Sequence, residues 1–167
     1  MMLRHFFNAM SNKNKKLRQK LNLGAGNDIK DIEEWVNHDI CYHRSEIEQA
    51  WDLNVFPYPW PNNRFEVIKM WDVLEHLDHR LEVLDELWRI LKPGGVLKIR
   101  APGPDNKTVW RDLVHRRPFT EESFHVLDPD RKYGEDYRFY PVKKWKILES
   151  RTDKVGSVVV VMSPRKK

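Results

Sequence analysis

A short apolar segment runs into a Gly-x-Gly turn near the start of the chain. The apolar segment is residues 21–23, and the turn consists of Gly24, Ala25 and Gly26. Because glycine has no Cβ, a turn of this kind lets the backbone approach a bound ligand closely. A dinucleotide site would need a third glycine three positions after the second, and Ile29 stands there instead. The turn therefore predicts a ligand-binding edge without favouring a nicotinamide cofactor.

Three acidic residues, Asp39, Asp52 and Asp72, each follow a later strand-like segment. Ligands of open α/β sheets bind in the crevice beyond the carboxyl ends of the strands, so these carboxylates are expected at one edge. Asp39, which precedes Ile40, has two oxygens that match the two hydroxyls of a ribose. Asp52 can accept a hydrogen bond from an adenine amino group, while a backbone N–H near Leu53 donates to the ring. Together the three acids predict a nucleoside-binding slot.

The same acids also have structural interpretations. Asp39 could lie in an ordinary surface turn, and Asp52 in a packed surface loop. Asp72 stands three residues before Glu75, which is the spacing of a helix-capping arrangement. The sequence leaves the slot and these structural roles as alternatives.

Two histidines are the candidate proton acceptors. His76 follows the fourth strand-like segment, and imidazole titrates near neutral pH, but a structural role fits this position equally well. His115 lies in residues 102–141, which are rich in arginine, histidine and aromatic residues. That composition suits a small acceptor with hydroxyl, phosphate or carboxylate groups. No metal site is predicted, because Cys41 is the only cysteine and a thiolate cluster is excluded.

Alternating strand-like and helix-like segments must position these residues, and the alternation is typical of an α/β fold with a mostly parallel sheet. Strands are expected at residues 20–23, 35–38, 51–52, 65–71 and 96–101, with a final antiparallel hairpin at 143–152 and 155–162. Helices are expected at residues 45–51, 78–91, 105–114 and 120–127, with Ser45, Asp78 and Thr120 as caps.

The first connection and the strand faces depart from an ordinary parallel sheet. Only about ten residues separate the first two strands, so the first crossover helix is expected to be short or absent. Lys69 interrupts the fourth strand, and Lys98 and Arg100 share one face of the fifth, although buried parallel strands are usually apolar throughout. One sheet face is therefore expected to be incompletely covered. It could be wet, covered by the N-terminal arm, or used to form a homodimer.

The length of 167 residues fits one domain, which we assign to residues 20–163, with a basic arm at 1–19 and a basic tail at 164–167. An apolar content of 40% and seven tryptophans argue against disorder. No apolar run reaches the roughly 20 residues that a spanning helix needs, and no secretory signal is evident. A cytoplasmic protein without membrane association is expected.

The net charge of +5 comes from the two ends of the chain, since the remaining body at residues 21–163 carries −4. Five basic residues near the start of the chain could contact nucleic acid. They are Lys13, Lys15, Lys16, Arg18 and Lys20. No aromatic residues stand between those charges to stack on bases, which favours a solvated arm over a nucleic-acid contact.

The combined pattern resembles the class I S-adenosylmethionine-dependent methyltransferases, in particular their type 11 branch. The resemblance covers residues 20–104, and the motifs that carry it are Leu21-Asn22-Leu23-Gly24-Ala25-Gly26, Val36-Asn37-His38-Asp39-Ile40, Trp51-Asp52-Leu53-Asn54, Phe65-Glu66-Val67-Ile68, Asp72-Val73-Leu74-Glu75-His76-Leu77 and Arg89-Ile90-Leu91-Lys92-Pro93-Gly94-Gly95. It implies a Rossmann-like sheet of seven strands that ends in an antiparallel hairpin. One departure is Asn22, which replaces the acid often found in the first strand.

The resemblance also implies roles for the candidate residues. Gly24, Ala25 and Gly26 would border the methionine part of S-adenosylmethionine. Asp39 with Ile40 would bind the ribose, and Asp52 with Leu53 would meet the adenine. Trp71 and Asp72, at the end of the fourth strand, would face the sulfonium.

Methyl transfer to a small molecule by in-line attack is the function that this pattern favours. Residues 115–124 look like segments of methyltransferases linked to saccharide metabolism, so a saccharide-related acceptor is one expectation. A cofactor-binding or scaffold module without catalysis is the first alternative. A nucleic-acid methyltransferase that uses the basic tails is the second.

Overall fold

The structure of the protein is a computed structural model that describes residues 17–166. Seven strands form one sheet in the order β3-β2-β1-β4-β5-β7-β6. The strands are β1 (Lys20–Leu23), β2 (Trp35–Asp39), β3 (Gln49–Ala50), β4 (Phe65–Trp71), β5 (Leu91–Pro102), β6 (Trp145–Thr152) and β7 (Ser157–Pro164). Strands β1 to β5 are parallel, whereas β7 runs antiparallel to both β5 and β6. The expected α/β fold with a final antiparallel hairpin is confirmed.

The helices of the described residues are short except for one. They are a 3-10 turn (Leu74–His76), α1 (Arg80–Ile90), α2 (Thr108–Arg111), α3 (Glu122–His125) and α4 (Lys132–Asp136). Helix α1 buries Val83, Leu84, Leu87 and Ile90 in the core. Within residues 17–166, no helix has the length and apolar character needed to cross a membrane.

The first connection has no helix, as expected, and buried amides hold it against the sheet instead. Residues 24–34 form only turns. The Asn22 side-chain amide donates to Asn37 Oδ1 at 3.0 Å and to the Asp28 carbonyl at 2.9 Å. The buried Lys69 donates to Asn22 Oδ1 at 3.1 Å and to Asp28 Oδ2 at 2.6 Å. Asn22 and Lys69, unusual for parallel strands, are thus the groups that anchor a connection too short for a helix.

The polar face of the sheet is partly open to solvent in the described part of the chain. Lys69 pairs in register with Lys98, and Trp71 with Arg100, so these side chains share one face. The Lys98 and Trp71 side chains are exposed. The opposite face carries Leu21, Ile68 and other fully buried residues of the core.

Several local expectations are wrong because tertiary contacts outweigh local propensity. Residues 45–51 form no helix: β3 begins at Gln49 and pairs with β2, and the Glu48 N–H donates to the Asn37 carbonyl at 2.9 Å. The helices expected at 105–114 and 120–127 shrink to four residues each, and neither Thr120 nor Asp78 makes a side-chain cap. Asp78 instead forms an ion pair with Arg116 at 3.1 Å.

Candidate functional site

A cavity of about 390 Å³ lies beyond the carboxyl ends of β1, β2 and β4. Six of the nine residues expected to contact a cofactor line it: Gly24, Asp39, Ile40, Asp52, Leu53 and Asp72. Its other lining residues are His38, Trp51, Asn54, Val73, His76 and Leu77. The cavity, here called the nucleoside slot, falls within the usual size range of small-molecule pockets.

The glycine turn forms one side of the slot. Gly24 and Gly26 have φ angles of +60° and +50°, which side chains rarely adopt. A Cβ on Gly24 would lie 2.3 Å from Cγ2 of Val73, which also lines the slot. Ala25 is buried and donates its N–H to the His38 carbonyl at 2.8 Å, so Ala25 and Gly26 shape the turn without lining the slot.

Asp39 faces the slot with its carboxylate held by two backbone amides. Oδ2 accepts from the Gly26 N–H and Oδ1 from the Ile40 N–H, both at 2.7 Å. Each carboxylate oxygen can accept two hydrogen bonds, so one position remains on each for the paired hydroxyls of a ribose. The geometry therefore fits the role that the resemblance implies.

Asp52 and Leu53 also line the slot. Asp52 Oδ1 accepts from the Asn54 N–H at 2.8 Å, which holds the carboxylate at the start of a tight turn. Leu53 is buried, and its carbonyl accepts from the Tyr58 hydroxyl at 2.9 Å. An apolar wall next to an acceptor suits a purine ring and its amino group.

Asp72 and Trp71, which the resemblance placed together, point in different directions. Asp72 lines the slot and forms an ion pair with Arg100, so its alternative role as a helix cap is wrong. The 3-10 turn begins after Val73 and has no side-chain cap. Trp71 lies outside the slot, on the open sheet face, with Lys69 Nζ and Arg100 Cζ at 4.3 and 4.8 Å from its ring centre.

A second cavity of about 720 Å³ adjoins the slot and shares Asp72 and His76 with it. Most of its lining residues have polar side chains, among them Arg100, Asn106, Thr108, Arg111, Asp112, His115 and Ser157. This acceptor cavity, as we call it, lies between the end of β4 and residues 102–115. Both candidate proton acceptors line it, with the rings of His76 and His115 4.6 Å apart.

Glu75 is the lining residue whose importance the sequence analysis missed. Its side chain is fully buried, and neither carboxylate oxygen has a hydrogen-bond partner among the described residues. Burial raises the pKa of Glu75 to about 7, and the nearby Asp72 and Asp112 act in the same direction. Burial, together with the neighbouring His115, lowers the pKa of His76, which favours a neutral imidazole.

His38 is a second lining residue that the sequence analysis did not select. It is buried, its Nε2 lies 3.0 Å from the Trp51 carbonyl, and the Gly24 N–H is 3.4 Å from its Nδ1. It therefore links the glycine turn to the segment that carries Asp52. Its position next to Asp39 at the end of a strand was the signal available in the sequence.

The buried His38 is expected to make the fold less stable in mild acid. Burial lowers its pKa from 6.5 to about 4, despite the opposing hydrogen bond to Trp51 and the charge of Asp39. The unfolded chain then binds a proton first as the pH falls, so folding should weaken between pH 6.5 and about 4. At 1.36 kcal/mol per pKa unit, the loss is about 3 kcal/mol.

Urea unfolding of the wild type and His38→Gln across this pH range tests the prediction. Glutamine keeps a donor for the Trp51 carbonyl but does not titrate. The contributions of all other titrating groups to the free energy of unfolding cancel in the difference between the two proteins. The wild type should lose about 3 kcal/mol more than the variant as the pH falls. Parallel stability curves for the two proteins would contradict this account.

Comparison with known proteins is consistent with this geometry. Residues 3–141 match the family described as a methyltransferase domain. Among solved structures, a chain from the complex between the Haloferax volcanii Trm112 methyltransferase activator and a methyltransferase aligns with a TM-score of 0.64 and 11% identity, covering 90% of this chain and 84% of that one. A SAM-dependent methyltransferase from Archaeoglobus fulgidus aligns with a TM-score of 0.60 and 15% identity, covering 96% and 90%.

A third similar structure is the S-adenosylmethionine-dependent methyltransferase from Mesorhizobium loti, with a TM-score of 0.56, 12% identity and coverage of 87% and 90%. Comparison with curated protein sequences gives no significant match. The family match spans most of the chain, and the structural matches extend the same fold across the sheet. The chain therefore belongs to the methyltransferase domain family, and its sheet has the fold of solved S-adenosylmethionine-dependent methyltransferases.

Proposed function

We propose that the protein transfers the methyl group of S-adenosylmethionine to an oxygen or nitrogen of a small molecule bound in the acceptor cavity. The observation that carries this proposal is that the nucleoside slot and the acceptor cavity meet at Asp72 and His76. When bound, S-adenosylmethionine supplies an electrophilic methyl group on a sulfonium. An acceptor in the second cavity would then lie next to that group, on the side away from the adenine end of the slot.

The chain's own residues would act mainly by orientation and by proton removal. The Asp39 carboxylate and the glycine turn would hold the nucleoside, and the polar lining of the acceptor cavity would orient the acceptor. His76 and His115 are the proposed proton acceptors, since a neutral imidazole can take the proton that an oxygen or nitrogen loses on methylation.

A hydroxyl-rich, saccharide-related acceptor fits the lining of the acceptor cavity. Arg111 supplies a charged donor there, and Asn106 and Thr108 supply amide and hydroxyl groups. Asn106 is held in place, because its amide donates to Ser157 Oγ at 2.8 Å and its oxygen accepts from Thr108. Fixed polar groups of this kind recognise hydroxyl groups by direct hydrogen bonds.

The proposal is tested by calorimetric titration with S-adenosylmethionine, followed by detection of S-adenosylhomocysteine during incubation with a panel of hydroxylated small molecules. Binding together with turnover on a member of the panel is the expected result. Absence of binding at millimolar cofactor would contradict the proposal at its first step.

His115→Ala is expected to lower kcat by about 100-fold on any acceptor that is turned over, because general-base catalysis typically contributes 10²–10⁴-fold. Cofactor affinity should not change, since His115 lines the acceptor cavity and not the slot. Steady-state kinetics and calorimetry measure the two effects separately. The matched control is His79→Ala, because His79 is exposed and lines neither cavity. Equal loss of kcat in both variants would count against a proton-accepting role.

A binding or scaffold module without catalysis is a second candidate, favoured by the first connection, where turns replace the crossover helix. Tight binding of S-adenosylmethionine without turnover across the acceptor panel would support it. Robust turnover would exclude it.

A nucleic-acid substrate is favoured less. Arg18 pairs with Glu48 and Lys20 with Glu34, so two of the five basic residues that could contact nucleic acid are engaged within the domain. Lys13, Lys15 and Lys16 lie outside the described residues. Deletion of residues 1–19 tests this alternative, because any nucleic-acid binding through the arm must then be lost.

A further inference from the structure

We propose that Glu75, His76 and His115 bind a divalent transition-metal ion at the inner wall of the acceptor cavity. Each residue offers one ligand atom, and these atoms all lie within 4.8 Å of one another. Two imidazoles and one carboxylate are a ligand set that suits zinc and ferrous iron better than magnesium, which prefers oxygen ligands. The sequence predicted no metal site, because its single cysteine excludes a thiolate cluster.

The buried Glu75 carboxylate is the strongest indication of a cation. Its side chain has no exposed surface, and neither oxygen has a hydrogen-bond partner among residues 17–166. A buried polar group without a partner costs about 1–3 kcal/mol, and a charged group costs more. An ion bound to the Glu75 carboxylate would supply the partner that this buried acid lacks.

The backbone holds the two ligand-bearing segments together. The Arg116 N–H donates to the Glu75 carbonyl at 2.8 Å, directly beside His115 and His76. His115 Nε2 lies 4.0 Å from Glu75 Oε1. Ligand atoms of a tetrahedral zinc site lie ~3.4 Å apart, so modest side-chain rotation would close the site.

The surroundings leave room for a further ligand and supply negative charge. Asp112 Oδ2 lies 3.6 Å from His115 Nε2, at the more exposed side of the cluster. Arg100, which also lines the cavity, is paired with Asp72. Three protein ligands with an open position towards a cavity are the arrangement of catalytic rather than structural zinc sites.

The chemistry of such an ion rests on the proposed function. A hydroxyl of the acceptor that approached the ion would lose its proton more readily, because a bound cation lowers the pKa of a coordinated oxygen. The proton would pass to Asp112 or to water, the oxygen–carbon bond would form, and the carbon–sulfur bond would break. When the ion is bound, His76 and His115 act as its ligands and not as proton acceptors, and the ion activates the acceptor hydroxyl.

Metal binding is tested on the full chain, freed of metal by a chelator, without cofactor or acceptor. Calorimetry with Zn²⁺ should show one equivalent bound, and Co²⁺ should give an absorption spectrum of nitrogen and oxygen ligation without a thiolate band. Loss of an outer partner of a metal ligand already costs 10–100-fold in affinity, so Glu75→Gln and His115→Ala should each cost about 100-fold or more. Circular dichroism checks that both variants are folded.

The matched control is the double variant Cys41→Ser/His43→Ala. Cys41 Sγ lies 3.9 Å from His43 Nδ1 in an exposed loop, so this pair is the competing zinc-binding group. The control should bind Zn²⁺ like the wild type. A thiolate band with Co²⁺, loss of binding in the control, or unchanged affinity in both Glu75→Gln and His115→Ala would overturn the site.

The two proposals fail in distinguishable ways. Zinc binding that depends on Glu75, in a protein without methyl transfer, would leave the metal site standing and remove the proposed function. Methyl transfer that is unaffected by chelator, in a protein that binds no Zn²⁺ or Co²⁺, would overturn the metal site and leave the histidines as proton acceptors.

Discussion

Replacing Asp39 with alanine is expected to weaken S-adenosylmethionine binding by about 100-fold or more. The variant would lack the two charge-assisted hydrogen bonds that the Asp39 carboxylate is proposed to make to the ribose. Each such bond contributes about 1.5–3 kcal/mol. The variant would also release the Gly26 N–H, which Asp39 Oδ2 holds at 2.7 Å, so the glycine turn would lose its fixed position. Isothermal titration calorimetry measures the change as a ratio of dissociation constants.

Two further variants make the Asp39 experiment specific. Asp39→Asn keeps one acceptor oxygen and should bind with intermediate affinity. Glu46→Gln removes a half-buried acid of the β2–β3 connection that does not line the slot, and the affinity of this variant should equal that of the wild type. If Asp39→Ala bound the cofactor as well as Glu46→Gln, the slot would not be the nucleoside site.

Replacing Asp128 with alanine is expected to destabilise the fold by about 3 kcal/mol or more. Asp128 is 2% exposed, and its Oδ2 accepts from the Ile147 N–H of β6 at 2.8 Å. Its Oδ1 accepts from the Arg165 guanidinium at 2.8 Å and from the Asp130 N–H at 3.1 Å. Removing one partner of a buried charged network leaves the other groups unpaired, which typically costs 3–5 kcal/mol. Denaturant unfolding measures this cost.

Asp130→Ala is the matched control for Asp128→Ala. Asp130 pairs with the same Arg165, but its side chain is 69% exposed, so its loss should change stability by less than about 1 kcal/mol. Comparable losses in the two variants would show that the ion pair matters and that the buried bond to β6 does not. The comparison therefore separates the burial of Asp128 from its charge.

Much of the framework was predictable from local patterns. The bounds of β1 and β4 agree with the prediction residue for residue, because apolar residues and turn signals mark both strands. The absent first crossover helix followed from chain length alone, since about ten residues cannot form one. The placement of Asp39 and Asp52 at one edge followed from the geometry of parallel strands, whose carboxyl ends meet there.

Local patterns were less informative where tertiary pairing competes with them. The expected helix at residues 45–51 has suitable residues, but β3 gains backbone hydrogen bonds to β2 instead. Trp71 is the last residue of a strand that leads to the slot, yet alternation along β4 turns its side chain to the open face. A one-residue difference along a strand reverses the face, so small errors in register change the assignment of a site residue.

The sequence by itself determined the α/β class, the strand edge proposed to bind the nucleoside and the acids that stand there, because each depends on neighbours within a few residues. Only the tertiary structure decided that Glu75 and His76 meet His115. That contact joins segments about 40 residues apart through the bond from Arg116 to the Glu75 carbonyl. The packing of residues 102–115 against the end of β4 determines which residues meet there, and no local sequence pattern contains that information.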